Sequence, residues 1–165
     1  MKYCFVCGTG LIRKELKNEG KIPYCPACEE YRFPVYNVAV SMEVMSPDRS
    51  KVLLIQQYGK EKWILVAGYV NRREKPEQAG VREFKEETGR DVTSVTFNSS
   101  EFYEKSNTLM LNFSCIATSE NISSFNREEV DRISWFSWKV AEQTVYPDSL
   151  AHHFLKEWMR KEGHL

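Results

Sequence analysis

Glu83, Glu86 and Glu87 are crowded into the stretch GYVNRREKPEQAGVREFKEETG, which runs from Gly68 to Gly89. Pro76 and Glu77 suit a first helical turn, and Gly89 suits a left-handed helix stop, so a helix of about three to four turns is expected between them. At about 100° per residue the three glutamates share an arc of about 100°, while Val81, Phe84 and Thr88 fall on the opposite side. One face is therefore carboxylate and the other is core. Carboxylates gathered this closely repel one another unless a cation sits among them, and hard oxygen ligands in this number suit Mg²⁺ or Mn²⁺, which in turn hold phosphate oxygens. Ala79 and Gly80 leave little bulk beside the glutamates, so a large anion has room to approach. Arg82 lies four residues before Glu86 and within reach of Glu74; it joins the catalytic group as a brace. A solvated acidic helix face would explain a lone ExxEE, but the fixed offsets of Gly68, Glu74 and Arg82 favour a metal site.

A second chemistry is written near the start of the chain. Cys4 and Cys7 form one CxxC pair, and Cys25 and Cys28 form another 17 residues further on. That spacing lets four thiolates converge tetrahedrally on one Zn²⁺, a closed structural site. A redox CxxC normally comes once, at a helix start, and neither copy has that setting. A segment of about 30 residues cannot hold a core by itself, so ligation would supply much of its folding energy. A zinc ribbon of two short hairpins over residues 1–33 is expected. Cys115, in an apolar run, reads as a buried small hydrophobe.

The chain has 165 residues, of which 42% are hydrophobic, and its 23 basic and 23 acidic residues cancel. Such a balance advertises neither a nucleic-acid surface nor an anionic-membrane surface. No apolar run suits a signal peptide or a membrane helix, and five cysteines, four of which pattern as metal ligands, fit a reducing compartment, so a cytoplasmic protein is expected.

The elements that must position these groups follow in order. Val38, Val40, Met42 and Val44 alternate as in a strand; Ser46–Ser50 has turn chemistry; Val52–Ile55 resumes an apolar strand. Trp63–Val66 reads as a strand feeding Ala67 and Gly68. Beyond the helix, strands are expected over Val92–Ser99 and Leu109–Ala117, with a surface loop over Thr118–Arg127 and a strand at Ile133–Phe136. Leu150, Phe154, Leu155, Trp158 and Met159 give a closing helix one apolar face, with Ser149 as its cap. His152 and His153 in that helix read as exposed. Strands, helix, strands and a closing helix suit an α/β fold, a mixed sheet flanked by helices.

The Gly68–Gly89 stretch resembles the Nudix box, Gly-x5-Glu-x7-Arg-Glu-apolar-x-Glu-Glu-x-Gly-apolar, and departs from it only at the last position, where Arg90 replaces an apolar residue and Val92 is left to supply the packing. The resemblance implies an α/β/α sandwich over residues 34–165. It also implies metal ligation by the Ala67 carbonyl, Glu83, Glu86 and Glu87, with Glu86 a ligand or the base. A zinc ribbon ahead of such a domain resembles the NADH pyrophosphatase branch, in which aromatics after the ribbon and after the first box glycine stack on adenine; Phe33 and Tyr69 hold those places. The same likeness nominates Glu129 as a further ligand, with Glu128 the alternative, and Ala151 beside the substrate. That branch's Ser-Gln-Pro-Trp-Pro-x-Pro-x-Ser signature aligns with Ser100, Tyr103 and Thr108, and every proline is missing here. The implied activity is hydrolysis of a nucleoside diphosphate-linked small molecule, NAD(H) or ADP-ribose, by a homodimer that uses Mg²⁺ or Mn²⁺. The competing readings are a nucleotide-sensing or recruiting module and removal of an NAD cap from RNA.

Overall fold

In the computed structural model, which describes residues 1–165, the chain forms two compact units, Met1–Tyr36 and Asn37–Leu165. The first unit is a three-stranded antiparallel sheet of β1 (Ile12–Leu16), β2 (Gly20–Cys25) and β3 (Glu30–Tyr31). Its strands are mostly exposed, and the residues it buries outright are Cys4, Cys25 and Arg32. Thiol clustering therefore replaces an apolar core, as expected for so short a segment.

The second unit is organised by strict alternation along β4 (Asn37–Met45) and β5 (Lys51–Gln56). Val40, Met42, Val44, Leu53 and Ile55 enter one apolar cluster, and Met45, Val52 and Leu54 enter another. Two-sided burial requires cover on both faces. The first face is covered by α1 (Pro76–Thr88), which contributes Ala79 and Phe84. The second is covered by α2 (Trp138–Thr144) and α3 (Leu150–Lys161), which contribute Trp138, Ala141, Phe154, Leu155, Trp158 and Met159. The sheet between them has the order β7-β8-β4-β5-β9, with β6 (Val66–Tyr69) also pairing to β4. Here β7 is Val92–Tyr103, β8 is Thr108–Ala117 and β9 is Arg132–Ser137. Only β4 and β8 run parallel, so the sheet is mixed as the sequence suggested.

Helix boundaries follow local chemistry. Pro76 occupies the first turn of α1 and Gly89 stops it at φ 67, while Ser149 Oγ caps α3 by accepting from the His152 N–H at 3.1 Å. Other expectations shift. The strand expected at Trp63–Val66 begins at Val66 and continues through Tyr69, leaving Trp63 and Ile64 as isolated bridges. Helix α2 was not anticipated, because its short apolar stretch runs on from the strand before it. His152 is not exposed: its Nδ1 accepts from the Asp148 N–H at 3.3 Å, and its side chain packs near Glu142. The segment after Ser99, which lay between the two expected strands, extends β7 to Tyr103 and turns through a 3₁₀ helix, Glu104–Ser106, into β8. Having no proline, Ser100–Tyr103 keeps every N–H available to the ladder.

Glu43 has no place in an apolar pattern, yet it is fully buried. Its Oε1 and Oε2 accept from Asn112 Nδ2 and Asn98 Nδ2, each at 3.1 Å. Burial raises its pKa to about 8 against the pull of those two amides, with Glu157 adding to the rise. The folded chain therefore holds a proton that the unfolded chain loses near pH 4.5, and stability falls as pH climbs from about 4.5 to about 8. In Glu43→Gln this component vanishes. One amide must turn over to meet the new donor, a cost independent of pH, so the slope is diagnostic. Urea unfolding at several pH values should give a wild-type curve that falls relative to the variant by up to about 1.4 kcal/mol per pH unit. Parallel curves would mean that Glu43 is ionised in the fold.

Candidate active site

Helix α1 presents its acidic face toward β6 at very short range. A β-carbon placed on Gly68 would lie 1.9 Å from Glu83 Cδ, so only glycine allows the carboxylate to stand over this strand. One turn before the glutamates, Gly80 would bring a β-carbon to 2.5 Å from Met42 Sδ, so Ala79 and Gly80, both buried, serve close packing against β4 and do not leave the room for an anion that the sequence suggested.

Arg82 ties the carboxylates to the loop before the helix. Its Nε and Nη2 donate to Glu74 Oε1 and Oε2 at 2.8 and 3.0 Å, a bidentate pair, and Nη2 also donates to the Tyr69 carbonyl at 2.9 Å. Its Nη1 reaches Glu83 Oε1 at 2.7 Å and Glu86 Oε2 at 2.9 Å. The contacts to Glu74 and Glu86 are those the spacing suggested; those to Glu83 and the Tyr69 carbonyl could not be read from offsets. Glu74 in turn accepts from the Asn71 N–H, and the guanidinium and this N–H together hold its pKa below the usual range.

The three box glutamates differ sharply in environment. The Glu86 side chain is 49% exposed and that of Glu83 17%. Glu87 is 1% exposed; its Oε1 accepts from Gln57 Nε2 at 2.6 Å, and its buried Oε2 has no partner. Burial first, then the charges of Glu83, Glu129 and Glu86, push Glu87 up to about 8, while burial raises Glu83 as well. The charge of Glu129 raises both Glu83 and Glu87. An unpartnered oxygen buried among like charges fits a bound divalent cation, which would supply the missing contact and cancel the repulsion.

The loop carrying Glu129 is fastened at several points. Its Asn126 N–H donates to the Glu87 carbonyl at 2.8 Å, and the Asp131 N–H donates to the Gln56 carbonyl at 2.8 Å. Arg90 donates from Nε to the Asn121 carbonyl at 2.9 Å, so the box's one departure anchors this loop. Val92 packs against the α1-side core, where the missing apolar residue was expected to act.

A cavity of about 430 Å³ opens beside β6 and α3; among its lining residues are Ser41, Ala67, Tyr103, Lys105, Tyr146 and Ala151. It thus gathers Ala67, Tyr103 and Ala151 from the nominated set. Ser100 and Thr108 are not among its walls. Ser100 is exposed in β7 opposite Leu111, on the face away from Tyr103, whereas Thr108 pairs with Tyr103 and is buried at the start of β8 with its hydroxyl donating to the Ser106 carbonyl. Tyr69 is 57% exposed, and Phe33, in the first unit, is 53% exposed. Gln57, Lys105 and Tyr146 were not anticipated; no motif offset marks them.

In the first unit the Sγ atoms of Cys4, Cys7, Cys25 and Cys28 all lie within 4.8 Å of one another. Separations of 3.5 Å for Cys7 and Cys25, 3.4 Å for Cys7 and Cys28, and 3.9 Å for Cys4 and Cys28 bracket the edge of about 3.8 Å of a tetrahedron with about 2.3 Å metal–sulfur bonds. No pair is at disulfide distance. Arg32, buried in this unit, donates from Nε to Cys4 Sγ at 3.2 Å. Burial alone would raise the Cys4 pKa, but the guanidinium and nearby N–H groups bring it to about 6, favouring the thiolate that a metal needs.

The NUDIX domain family pattern matches residues 35–159. The chain is 26% identical over 164 residues to the NAD-capped RNA hydrolase NudC of Pseudomonas aeruginosa, covering 98% of this chain and 57% of that protein. It is 27% identical over 179 residues to the human NAD-capped RNA hydrolase NUDT12, covering 96% of this chain and 38% of that one. It therefore spans only a little over half the length of NudC, and less of NUDT12. A crystal structure of a Nudix hydrolase from Nitrosomonas europaea superposes with a TM-score of 0.65 at 21% identity, over 99% of this chain and 93% of the other. No helix is long and apolar enough to cross a membrane. With the family pattern covering most of the chain and the acidic helix, its stop and its bracing arginine in place, this protein belongs to the Nudix family.

Proposed function

We propose that the second unit is a metal-dependent pyrophosphohydrolase acting on a nucleoside diphosphate-linked compound, NAD(H) or ADP-ribose, with AMP as a product. The observation carrying this reading is the buried, unpartnered Oε2 of Glu87, set among Glu83, Glu86 and Glu129 on the helix that packs against β6. Glu83, Glu87 and the Ala67 carbonyl would hold Mg²⁺ or Mn²⁺, with Glu129 completing the acidic wall. Bound there, the cation would offset charge on the phosphoryl oxygens and make water easier to deprotonate. Water's oxygen bonds to one phosphorus, the bridging P–O bond breaks, and the leaving phosphate takes that electron pair. Glu86, the most exposed of the three glutamates, is best placed to accept the water's proton. Arg82 keeps Glu83 and Glu86 oriented. The cavity walled by Tyr103, Tyr146 and Ala151 suits the planar, partly apolar base of a nucleoside.

A second reading is favoured by the relatives named as NAD-capped RNA hydrolases: the same bond cleaved in an NAD joined to an RNA 5′ end. We propose further that the four-cysteine cluster of the first unit holds one structural Zn²⁺.

Glu87→Gln should lower turnover at least about a hundredfold with Mg²⁺ or Mn²⁺ and leave the far-ultraviolet circular dichroism unchanged. Wild-type protein assayed chromatographically should cleave NADH and ADP-ribose to a common AMP product. A strong preference for NAD-capped oligonucleotide over free dinucleotide would favour the second reading. No cleavage of any of these would leave a nucleotide-binding module instead.

Elemental analysis of protein prepared without chelators should find one zinc per chain, lost on Cys25→Ser but retained in Glu87→Gln. Zinc near zero in the wild type would refute the ribbon assignment.

A further inference from the structure

Leu53 and Ile55 of β5 point into the apolar cluster beneath α1, and by alternation the next residue on that side is Gln57, just past the strand. Gln57 is buried. A polar amide so placed needs a partner, and it finds Glu87 Oε1, to which its Nε2 donates at 2.6 Å. The other oxygen of that carboxylate is left without one.

Resting on the reading of Glu87 as a metal ligand, we propose that Gln57 is a positioning residue for the divalent-metal site: it fixes the Glu87 carboxylate by one oxygen and leaves the other free for the cation.

The chemistry of the donor suits the task. A lysine or arginine here would neutralise Glu87 and compete with the cation, whereas an amide orients the carboxylate and leaves its charge intact. The backbone around Gln57 is committed to this placement. Tyr58 and Gly59 are both left-handed, at φ 59 and 66, and a tyrosine adopts that conformation only at some cost. The turn brings the Gly59 N–H to Asp131 Oδ2 at 2.7 Å, beside the bond from the Asp131 N–H to the Gln56 carbonyl. The glutamine that grips Glu87 and the segment that carries Glu129 are therefore fastened to one another.

The test is calorimetric titration of substrate-free protein with Mn²⁺, using wild type, Gln57→Leu, Gln57→Ala, Gln56→Ala and Glu87→Gln. Gln57→Leu keeps most of the bulk and removes the donor, so it and Gln57→Ala should both bind Mn²⁺ about 10–100-fold more weakly, with metal-free Tm within a few degrees of wild type. Saturating Mn²⁺ should recover much of kcat in both, with substrate KM little changed. Gln56→Ala, on the opposite side of the strand, should bind as wild type does. Wild-type affinity in Gln57→Leu would overturn the proposal: with Gln57→Ala weakened it would show that only bulk matters, and with Gln57→Ala unweakened that the residue has no part in metal binding. Undiminished binding in Glu87→Gln would instead overturn the ligand assignment beneath it.

Discussion

Three carboxylates on one helix face, with the charge of Glu129 added to theirs, oppose folding, and much of the second unit is arranged to tolerate them. Glu87 bears the greatest penalty, being buried and facing three like charges, which is why its proton affinity rises so far. The fold does not answer this with an equal number of cations. Arg82 is shared by Glu74, Glu83 and Glu86, and Glu87 receives only the neutral amide of Gln57. The acidic face thus carries more carboxylates than cations.

The same constraint explains the close packing around the helix. Glu83 can stand over β6 only because Gly68 has no side chain, and α1 can press on β4 only because Gly80 is small at Met42. The strand, the loop ending in Glu74 and the helix become one body, locked by the bidentate Arg82–Glu74 pair and the bond from Arg82 to the Tyr69 carbonyl. Carboxylates carried on such a body are held in place before any charged ligand arrives.

The first unit solves a different problem by a related means. Burying almost none of its apolar side chains, it gathers four sulfurs and covers one of them with Arg32, so that a thiol cluster stands where a core would be. The second unit also places a polar group in its core. Glu43 is tolerated because Asn98 and Asn112 satisfy both of its oxygens.

The sequence by itself determined whatever depends on neighbours along the chain. The limits of α1 follow from Pro76 and Gly89, its acidic face from the offsets of three glutamates, the cap of α3 from Ser149, and the cysteine cluster from two CxxC pairs. Each is set by a local periodicity or a local turn. Only the tertiary structure decided the rest. It selected Gln57 as the partner of Glu87 across thirty residues of sequence separation, brought the charge of Glu129 to bear on Glu87 through a loop anchored by Arg90, and made Tyr146 and Lys105 cavity walls. It also put Ser100 on the face away from Tyr103, because a segment free of proline continues its ladder beyond Ser99. These contacts join elements distant in the chain, and such pairings are fixed by packing on the two faces of the sheet, which no local spacing encodes.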